Sequence, residues 1–435
     1  MSIQHGTINA ELQVTHIPRV ENHHFLLNSG LNIQHIRSTD GSTTYYYNRS
    51  AMTERFGESL AYTIPDNTGE NNFIPTGLTW KYTGKYPVIA EIDQAARFDW
   101  KGNIAFNGRS LRTDGMQSAW FPQFYDAEHD RHYYQVTYDI RLSCQDCETL
   151  YVNGSSPVRG QVGRFVATRP VEPLLFLGSY TIANHGNNRL LGSALTQEEM
   201  ERGLAIVTRY QEHFAAMFGH PFKQGGLTLI DTSPVSRKNA WMWVSSPSIV
   251  NVSHENEILA DLLSNDRERQ IREAGFIAHE LAHVYFSNYR DFNSDFGLTL
   301  NESLAEYLSL IVVEREFGQP AAATLRQKKL QRVVKVSPPS LSAVLVDPGK
   351  LHGNFIRYEL VPSVWVQLEQ EIGRERMLQW ITALLTRETR FTDFSFAQQV
   401  LREVLGEGPL AEQVIEKYFL STAYLTEFNE HRVDN

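Results

Sequence analysis

The chain has 435 residues, of which 42% are hydrophobic and 21% are charged, and its formal net charge is −10. A chain of this length exceeds one ordinary core, so two or three folded domains are expected and no tract is polar enough to predict disorder. The charge is spread along the sequence without a basic stripe, which excludes nucleic acid as an expected partner.

The amino terminus and the two cysteines bear on cellular location. The first residues lack a basic region followed by an apolar one, and no later segment approaches the roughly 20 apolar residues that span a bilayer. We therefore predict a soluble, cytoplasmic protein without a membrane partner.

Cys144 and Cys147 are too few for a disulfide framework, in agreement with a reducing compartment. Their spacing fits half a zinc site or a redox pair, but without a second such pair or a βαβ pattern we interpret them as incidental thiols at a strand end.

The first part of the chain has the pattern of β-strands. Short segments alternate apolar and polar residues and are interrupted by Gly, Asn, Asp and Pro; examples are Leu31–Ile36, Leu78–Tyr82 and Tyr134–Ile140. A period of two is typical of half-buried strands. We predict an antiparallel β domain over residues 1–187.

The pattern changes near residue 190. Thr196 and Glu199 have the spacing of a capping box, which predicts a helix from about Met200 to Phe218. Two strands are expected at Gly226–Ile230 and Ser248–Val252, and helical periodicity dominates the rest, at about 255–288, 299–317, 359–386, 393–405 and 409–424. We predict a second, mainly helical domain over residues 188–435, and hence an α+β fold.

One of the predicted helices contains a His-Glu-x-x-His sequence at 279–283. Residues four apart lie on the same face of a helix, so His279 and His283 can bind one metal ion. Glu280 would lie beside the open coordination position, where a carboxylate can accept a proton from an attacking water. The short sequence alone arises by chance in roughly a few per cent of chains of this length, so a third ligand is required.

Glu302 supplies that third ligand. It follows His283 after eighteen residues and stands near the start of another predicted helix. Two histidines and a carboxylate are a ligand set typical of catalytic zinc, so we predict one zinc ion per chain, held by His279, His283 and Glu302. Glu306, one turn later, is either an acceptor for a ligating histidine or a solvated charge.

These residues resemble those of the aminopeptidase N family of gluzincin metallopeptidases, with His-Glu-x-x-His, eighteen residues and then Asn-Glu-x-x-Ala. Ser118–Pro122 and Val152–Gly154 also resemble the Trp-x-Pro and Asn-Gly motifs of the family's amino-terminal β domain. The resemblance covers both predicted domains and implies a thermolysin-like catalytic domain. It further implies that Tyr358, before a helical stretch ending Ile-Gly, is the catalytic phenol.

The chain departs from the family at the position that binds the amino group of the substrate. Family members carry Gly-x-Met-Glu-Asn upstream of the zinc motif, and the glutamate binds the free ammonium. Aligning Met242 with the family methionine puts Trp243 in place of that glutamate. We predict Met242 and Trp243 as substrate-binding residues, with a weaker and less directional attraction for an ammonium group.

The second departure from the family is length. Full-length members continue into a further helical domain above the active site, whereas this chain ends about 130 residues after Glu302. The cleft is therefore expected to be open, with room for another subunit or a partner chain to cover it.

The function predicted from these residues is zinc-dependent hydrolysis of peptide bonds, with a slight preference for an endopeptidase because Trp243 replaces the amino-group anchor. The alternatives are hydrolysis of a non-peptide amide, ester or epoxide, and a zinc-stabilised scaffold that binds peptides without cutting them. The intact ligands and Glu280 favour an enzyme over the scaffold.

Overall fold

The structure is a computed structural model, and it describes residues 1–19, 23–53, 59–65, 74–91, 93, 104–126, 131–219, 226–235, 241–252, 258–287, 289–290, 292, 296–334, 340–341 and 353–424. The chain forms two compact units. The first comprises Met1–Met200 and Leu227–Glu257, and the second comprises Glu201–Gly226 and Ile258–Asn435.

The described strands of the first unit form five sheets. With strands named in their order across each sheet, the first sheet comprises Thr7–Thr15, Gly77–Lys85, Leu31–Ser38 and Thr44–Tyr45. The second comprises Arg131–Tyr133, Gln123–Asp126, His24–Asn28, Ser59–Thr63 and Asn48–Thr53. The third comprises Val136–Ser143 and Val162–Val171, and the fourth comprises Val158–Arg159, Thr149–Val152, Leu175–Gly178, Ser110–Thr113 and Ala105–Phe106. Their strands pair antiparallel throughout.

The fifth sheet is mixed. Its order is Ile182–His185, Asn188–Leu191, Thr228–Ile230, Ser248–Val252 and Trp241–Ser245. The three inner strands run parallel and the two outer ones antiparallel. The predicted strand at Ser248–Val252 is confirmed with the same bounds.

Alternation of apolar residues explains the strands of the first unit. In Gly77–Lys85 the side chains of Leu78, Trp80 and Tyr82 are fully buried, while Lys81 between the last two is exposed. These three side chains join the large apolar core of the unit. A strand with this period buries one face and leaves the other to solvent, as the sequence predicted.

The two segments that resemble family motifs, Ser118–Pro122 and Val152–Gly154, form hydrogen bonds that hold parts of the first unit together. The indole Nε1 of Trp120 donates to the carbonyl of Pro173 at 2.7 Å. The amide of Asn153 is buried and donates to the carbonyls of Ser245, at 2.7 Å, and Glu172, at 3.0 Å. Asn153 therefore ties the end of the outer strand Trp241–Ser245 to the β region before it.

The second unit is mainly helical. Among the described residues, the helices are Gln197–Phe218, Ile258–Leu262, Arg267–Ser287, Gly297–Phe317, Gln319–Val334, Val361–Ile372, Arg374–Thr386, Phe394–Leu405 and Pro409–Ile415, with π-helical turns at Ile356–Leu360 and Glu416–Leu420. The helices Arg267–Ser287 and Gly297–Phe317 pack against each other.

The ends of two helices follow local sequence signals. The predicted capping box is confirmed, because the backbone N–H of Thr196 donates to the Glu199 carboxylate at 3.0 Å and the N–H of Glu199 donates to the Thr196 hydroxyl at 3.3 Å. The helical pattern predicted at about 359–386 is confirmed, and it forms two helices. Gly373 has φ 85°, a left-handed conformation that favours glycine, and it separates Val361–Ile372 from Arg374–Thr386.

The observed architecture confirms the predicted fold class: an antiparallel β region is followed by a mainly helical one, in an α+β fold. The mixed sheet pairs Asn188–Leu191 with Thr228–Ile230, so the first compact unit extends beyond residue 188. The predicted domain boundary between 187 and 188 stays a prediction.

The interpretation of the cysteines as incidental thiols is wrong. Cys144 and Cys147 form a disulfide, because the turn after Val136–Ser143 brings their Cα atoms to 5.5 Å, within the range that a disulfide spans. The bonded sulfurs do not offer thiolates to a metal. The cysteine count no longer supports a reducing compartment, and the cytoplasmic location stays a prediction.

Among the described helices, none has the length and apolar character needed to cross a bilayer.

A buried carboxyl group in the first unit makes stability depend on pH. Glu172 is 3% exposed, and burial, reinforced by the nearby Asp114 carboxyl, raises its pKa above the usual value of 4.5. Because the folded state prefers the protonated form, stability is fully present below pH ~4.5 and is lost as pH rises towards the higher folded pKa.

Glu172→Gln should therefore remove much of that pH dependence. Each unit of pKa shift corresponds to about 1.4 kcal/mol, so the variant should gain on the order of 1 kcal/mol or more over wild type between pH 5 and pH 8. Thermal denaturation at both pH values measures the difference. If the melting temperatures of the two proteins changed by the same amount between pH 5 and pH 8, Glu172 would not control the pH dependence of stability.

Candidate metal centre and active site

The helix Arg267–Ser287 brings the two predicted histidine ligands together. Ile277, Ala278, Leu281 and Ala282 are fully buried and fix the orientation of this helix. His279 and His283, four residues apart, lie on one side of it with their Nε2 atoms 3.0 Å from each other. Both nitrogens therefore approach the same point, as the helical spacing predicted.

Glu302 reaches this point from the neighbouring helix, Gly297–Phe317. Its Oε2 atom lies 3.3 Å from Nε2 of His279 and 3.3 Å from Nε2 of His283. The helix is held in place nearby, because the indole Nε1 of Trp365 donates to the hydroxyl of Ser303 at 2.9 Å. The three side chains predicted as ligands thus form one cluster.

The other ring nitrogens of the two histidines lie against oxygen atoms of Glu306 and Asn301. Nδ1 of His279 lies 2.9 Å from Oε2 of Glu306, and Nδ1 of His283 lies 3.3 Å from Oδ1 of Asn301. Burial raises the pKa of Glu306, but His279 and Lys329 lower it to about 2, so Glu306 is ionised and can only accept. Of the two predicted alternatives for Glu306, the structure favours the acceptor, because this carboxylate lies against the predicted ligand His279.

When the two histidines are neutral with their hydrogens on Nδ1, both Nε2 atoms present lone pairs to each other and to the Glu302 carboxylate. Three acceptors this close repel one another unless a cation lies between them. Burial lowers the pKa of His279, but the Glu302 and Glu306 carboxylates raise it to about 10, so these carboxylates favour a positive charge on or beside this imidazole.

The donor set fits zinc. In a tetrahedral site with bonds of about 2.0–2.1 Å, neighbouring ligand atoms lie about 3.3 Å apart. The distances within the cluster are 3.0, 3.3 and 3.3 Å. Two imidazoles and one carboxylate also leave a fourth position for water or substrate, as in catalytic zinc sites.

Glu280 stands next to the first histidine and is 8% exposed. Burial raises its pKa, and the neighbouring His279 and His283 lower it in part. A carboxylate that is poorly solvated binds protons more strongly than one in water, which suits a group that must accept a proton.

Tyr358 lies in the π-helical turn Ile356–Leu360, and its hydroxyl donates to Oε2 of Glu302 at 3.0 Å. Its ring centre is 5.9 Å from that of His279. Burial and the Glu302 carboxylate raise the pKa of Tyr358, so the phenol keeps its proton and remains a hydrogen-bond donor. The turn therefore places a donor directly at the cluster.

The predicted substrate-binding pair lies in the first unit. Trp243 is 7% exposed and packs in the apolar core that also contains Phe176 and Val250. The guanidinium of Arg112 lies 4.8 Å from the centre of its indole ring. Met242 is half-buried. An indole that is buried against a cation is poorly suited to attract a substrate ammonium, which weighs against the contact predicted for Trp243; the roles of both residues stay predictions.

Two further residues at the cluster, Lys329 and Asn301, were not predicted from the sequence. Lys329 lies in the helix Gln319–Val334, which was not predicted, and its ammonium is 2.6 Å from Oε1 of Glu306. Asn301 directly precedes Glu302, and this adjacency was the one available signal for a contact with a ligating histidine.

No protein-family model and no curated protein matches the chain. Three solved structures of yeast leukotriene A4 hydrolase do match its fold. The native yeast enzyme matches with a TM-score of 0.64 and 16% identity over 96% of this chain and 65% of that one. The complex of the yeast enzyme with bestatin gives 0.64 and 14% over 97% and 66%. A further native structure, from Saccharomyces cerevisiae, gives 0.65 and 15% over 95% and 65%.

This chain thus spans just under two thirds of the length of the structures it matches. At such low identity the likeness establishes the fold alone, and the α+β fold of this chain is that of the corresponding part of those hydrolase structures.

Proposed function

We propose that the protein is a zinc-dependent hydrolase that cleaves peptide bonds, with one zinc ion held by His279, His283 and Glu302. The observation that carries the proposal is the convergence of three acceptor atoms, 3.0–3.3 Å apart, between two packed helices. A bound zinc ion supplies Lewis-acid polarisation of a carbonyl oxygen and acidification of a water molecule.

Glu280 is the general base of this proposal. Its carboxylate accepts a proton from the attacking water and then passes the proton to the leaving nitrogen. The raised pKa supports this role, because a base that binds a proton too weakly cannot deliver it later.

Tyr358 is the second catalytic residue of the proposal. Its hydroxyl, 3.0 Å from a ligand oxygen, is close enough to turn towards the carbonyl oxygen of a substrate. The raised pKa keeps the phenol protonated, so it can donate a hydrogen bond to the oxyanion that forms on attack.

We also infer membership in the aminopeptidase N family. The supports are the spacing of the motif, the position of Tyr358 and the fold shared with the hydrolase structures. Position 243 is a tryptophan, so the carboxylate that the family uses for a free amino group is missing there. We therefore favour an endopeptidase slightly over an aminopeptidase.

A second candidate function is hydrolysis of a non-peptide substrate. The structures that share this fold are named for leukotriene A4 rather than for a peptide. The same metal centre, base and phenol can act on an amide, an ester or an epoxide, because each requires an activated water and an acid at oxygen or nitrogen.

Digestion of a synthetic peptide library, read by mass spectrometry, tests the proposal. The zinc-loaded protein should cleave internal peptide bonds, and amino-terminally acetylated copies should be cleaved at rates comparable to those of the free peptides. Glu280→Gln serves as the matched control for contaminating peptidases.

The library separates the candidate functions. A loss beyond about a hundredfold on acetylation, near ~2.7 kcal/mol, would establish the aminopeptidase instead. If the zinc-loaded protein cleaved none of the peptides, the remaining candidate functions would be a non-peptide hydrolase and a peptide-binding scaffold.

A further inference from the structure

A single lysine connects Glu306, which lies against His279, to the turn that carries Tyr358. Lys329 lies in the helix Gln319–Val334, and its ammonium donates to Oε1 of Glu306 at 2.6 Å. The same ammonium donates to the backbone carbonyl of Tyr358 at 2.9 Å. One side chain thus contacts both Glu306, which accepts from the predicted ligand His279, and the backbone of the predicted catalytic residue Tyr358.

On the metal side, Lys329 acts through Glu306. The Glu306 carboxylate is held at both oxygens, since Oε2 accepts from Nδ1 of His279 at 2.9 Å and Oε1 accepts from Lys329. A carboxylate held at both ends cannot rotate without breaking one of two charge-assisted hydrogen bonds. Glu306 therefore holds the imidazole of His279 in one orientation, with its Nε2 towards His283 and Glu302.

On the Tyr358 side, the sequence removes the usual α-helical donor to the backbone carbonyl. The residue four positions after Tyr358 is Pro362, which has no backbone N–H. The carbonyl of Tyr358 therefore cannot accept the ordinary α-helical hydrogen bond from that position. It lies in a π-helical turn, and Lys329 donates to it from the neighbouring helix.

The surroundings of Lys329 favour a specific role over a surface ion pair. Its side chain is 15% exposed and that of Glu306 is 20% exposed, so both charges are largely removed from water and depend on each other. Arg332, one turn later on the same helix, pairs with Glu359 but its side chain is 62% exposed. Arg332 is therefore a matched control, because it contacts the same turn without contacting Glu306.

We propose that Lys329 is a positioning residue that sets the orientation of His279 through Glu306 and the position of Tyr358 through its backbone carbonyl. The inference rests on the proposed function, since it assigns Lys329 a role at that same site. It predicts two separable effects of removing the ammonium, one on metal affinity and one on turnover.

The first effect is measured as zinc affinity, by competition with a chelator of known affinity. Lys329→Met keeps the length of the side chain but removes the donor, and it should weaken zinc binding about tenfold to a hundredfold, as loss of an outer-shell partner does. Arg332→Met should stay within about twofold of wild type. Lys329→Arg, which keeps a cation, should recover part of the loss.

The second effect is measured at saturating zinc. Lys329→Met should lower kcat about tenfold with KM nearly unchanged, because the phenol is displaced while substrate binding is not. In a Tyr358→Phe background the same substitution should lower kcat by no more than about twofold, since the group it positions is already gone.

Each outcome decides the inference. A zinc affinity unchanged in Lys329→Met, or a full further loss of kcat in the Tyr358→Phe background, would overturn it. If Lys329→Met does not fold, Lys329→Leu repeats both measurements with another side chain that has no donor. A wild-type protein that binds no zinc contradicts the proposed function, whereas wild-type zinc affinity in the lysine variants contradicts this inference alone.

Discussion

Glu280→Gln is expected to lower turnover by about two to four orders of magnitude while the protein still binds one zinc ion. The amide has nearly the shape of the carboxylate, so the buried position next to His279 is filled as before. It cannot accept the proton of the attacking water, however, and the reaction loses its base. Peptide hydrolysis and zinc content should be measured on the same preparation.

Retention of zinc is what separates this result from damage to the metal centre. A Glu280→Gln protein that keeps its zinc and also keeps wild-type turnover would exclude Glu280 as the base. A Glu280→Asp variant is a useful companion, because it keeps the carboxylate but withdraws it by one methylene, and an intermediate turnover is expected.

Tyr358→Phe is expected to reduce turnover by about two to three orders of magnitude, the usual cost of losing one oxyanion donor. The hydroxyl is the one group removed, and it lies 3.0 Å from Oε2 of Glu302. Zinc content and the affinity for substrate should change little, because the three ligands remain. Steady-state kinetics with a peptide identified from the library measures the effect.

If Tyr358→Phe retained wild-type turnover, Tyr358 would be a packing residue of the π-helical turn. The neighbouring Arg357 provides a control on the same turn. Its guanidinium lies 5.7 Å from the centre of the Tyr358 ring, so Arg357→Lys keeps a positive charge near that ring while leaving the hydroxyl in place. Turnover in that variant should remain close to wild type.

The parts of the fold and site that follow from short-range patterns were predictable from the sequence. The capping box at Thr196 and Glu199 depends on residues three apart, and the structure contains both of its hydrogen bonds. The facing histidines depend on one turn of helix. Glu302 could be predicted as a ligand because its helix was recognised and because a fixed offset from His283 can be tested in a single sequence.

The parts that depend on contacts between distant segments were not predictable in the same way. Lys329 approaches Glu306 from a separate helix, and no local pattern marks it as a partner of the site. Alternation in Trp241–Ser245 shows that Met242 and Trp243 point to opposite faces, but which face is buried is decided by the core around Phe176 and Val250. The Cys144–Cys147 disulfide is local, since its residues are three apart, but it depends on the geometry of one turn, which the cysteine count does not reveal.

The zinc content of His283→Ala, determined by elemental analysis beside wild type, is the most direct test of the account. His283 supplies one of the three converging atoms, and removal of its imidazole leaves His279 and Glu302 with too few ligands to hold the ion tightly. We predict about one zinc per chain in wild type and little or none in a folded His283→Ala protein after dialysis. Full zinc occupancy in His283→Ala would contradict the assignment of this metal centre.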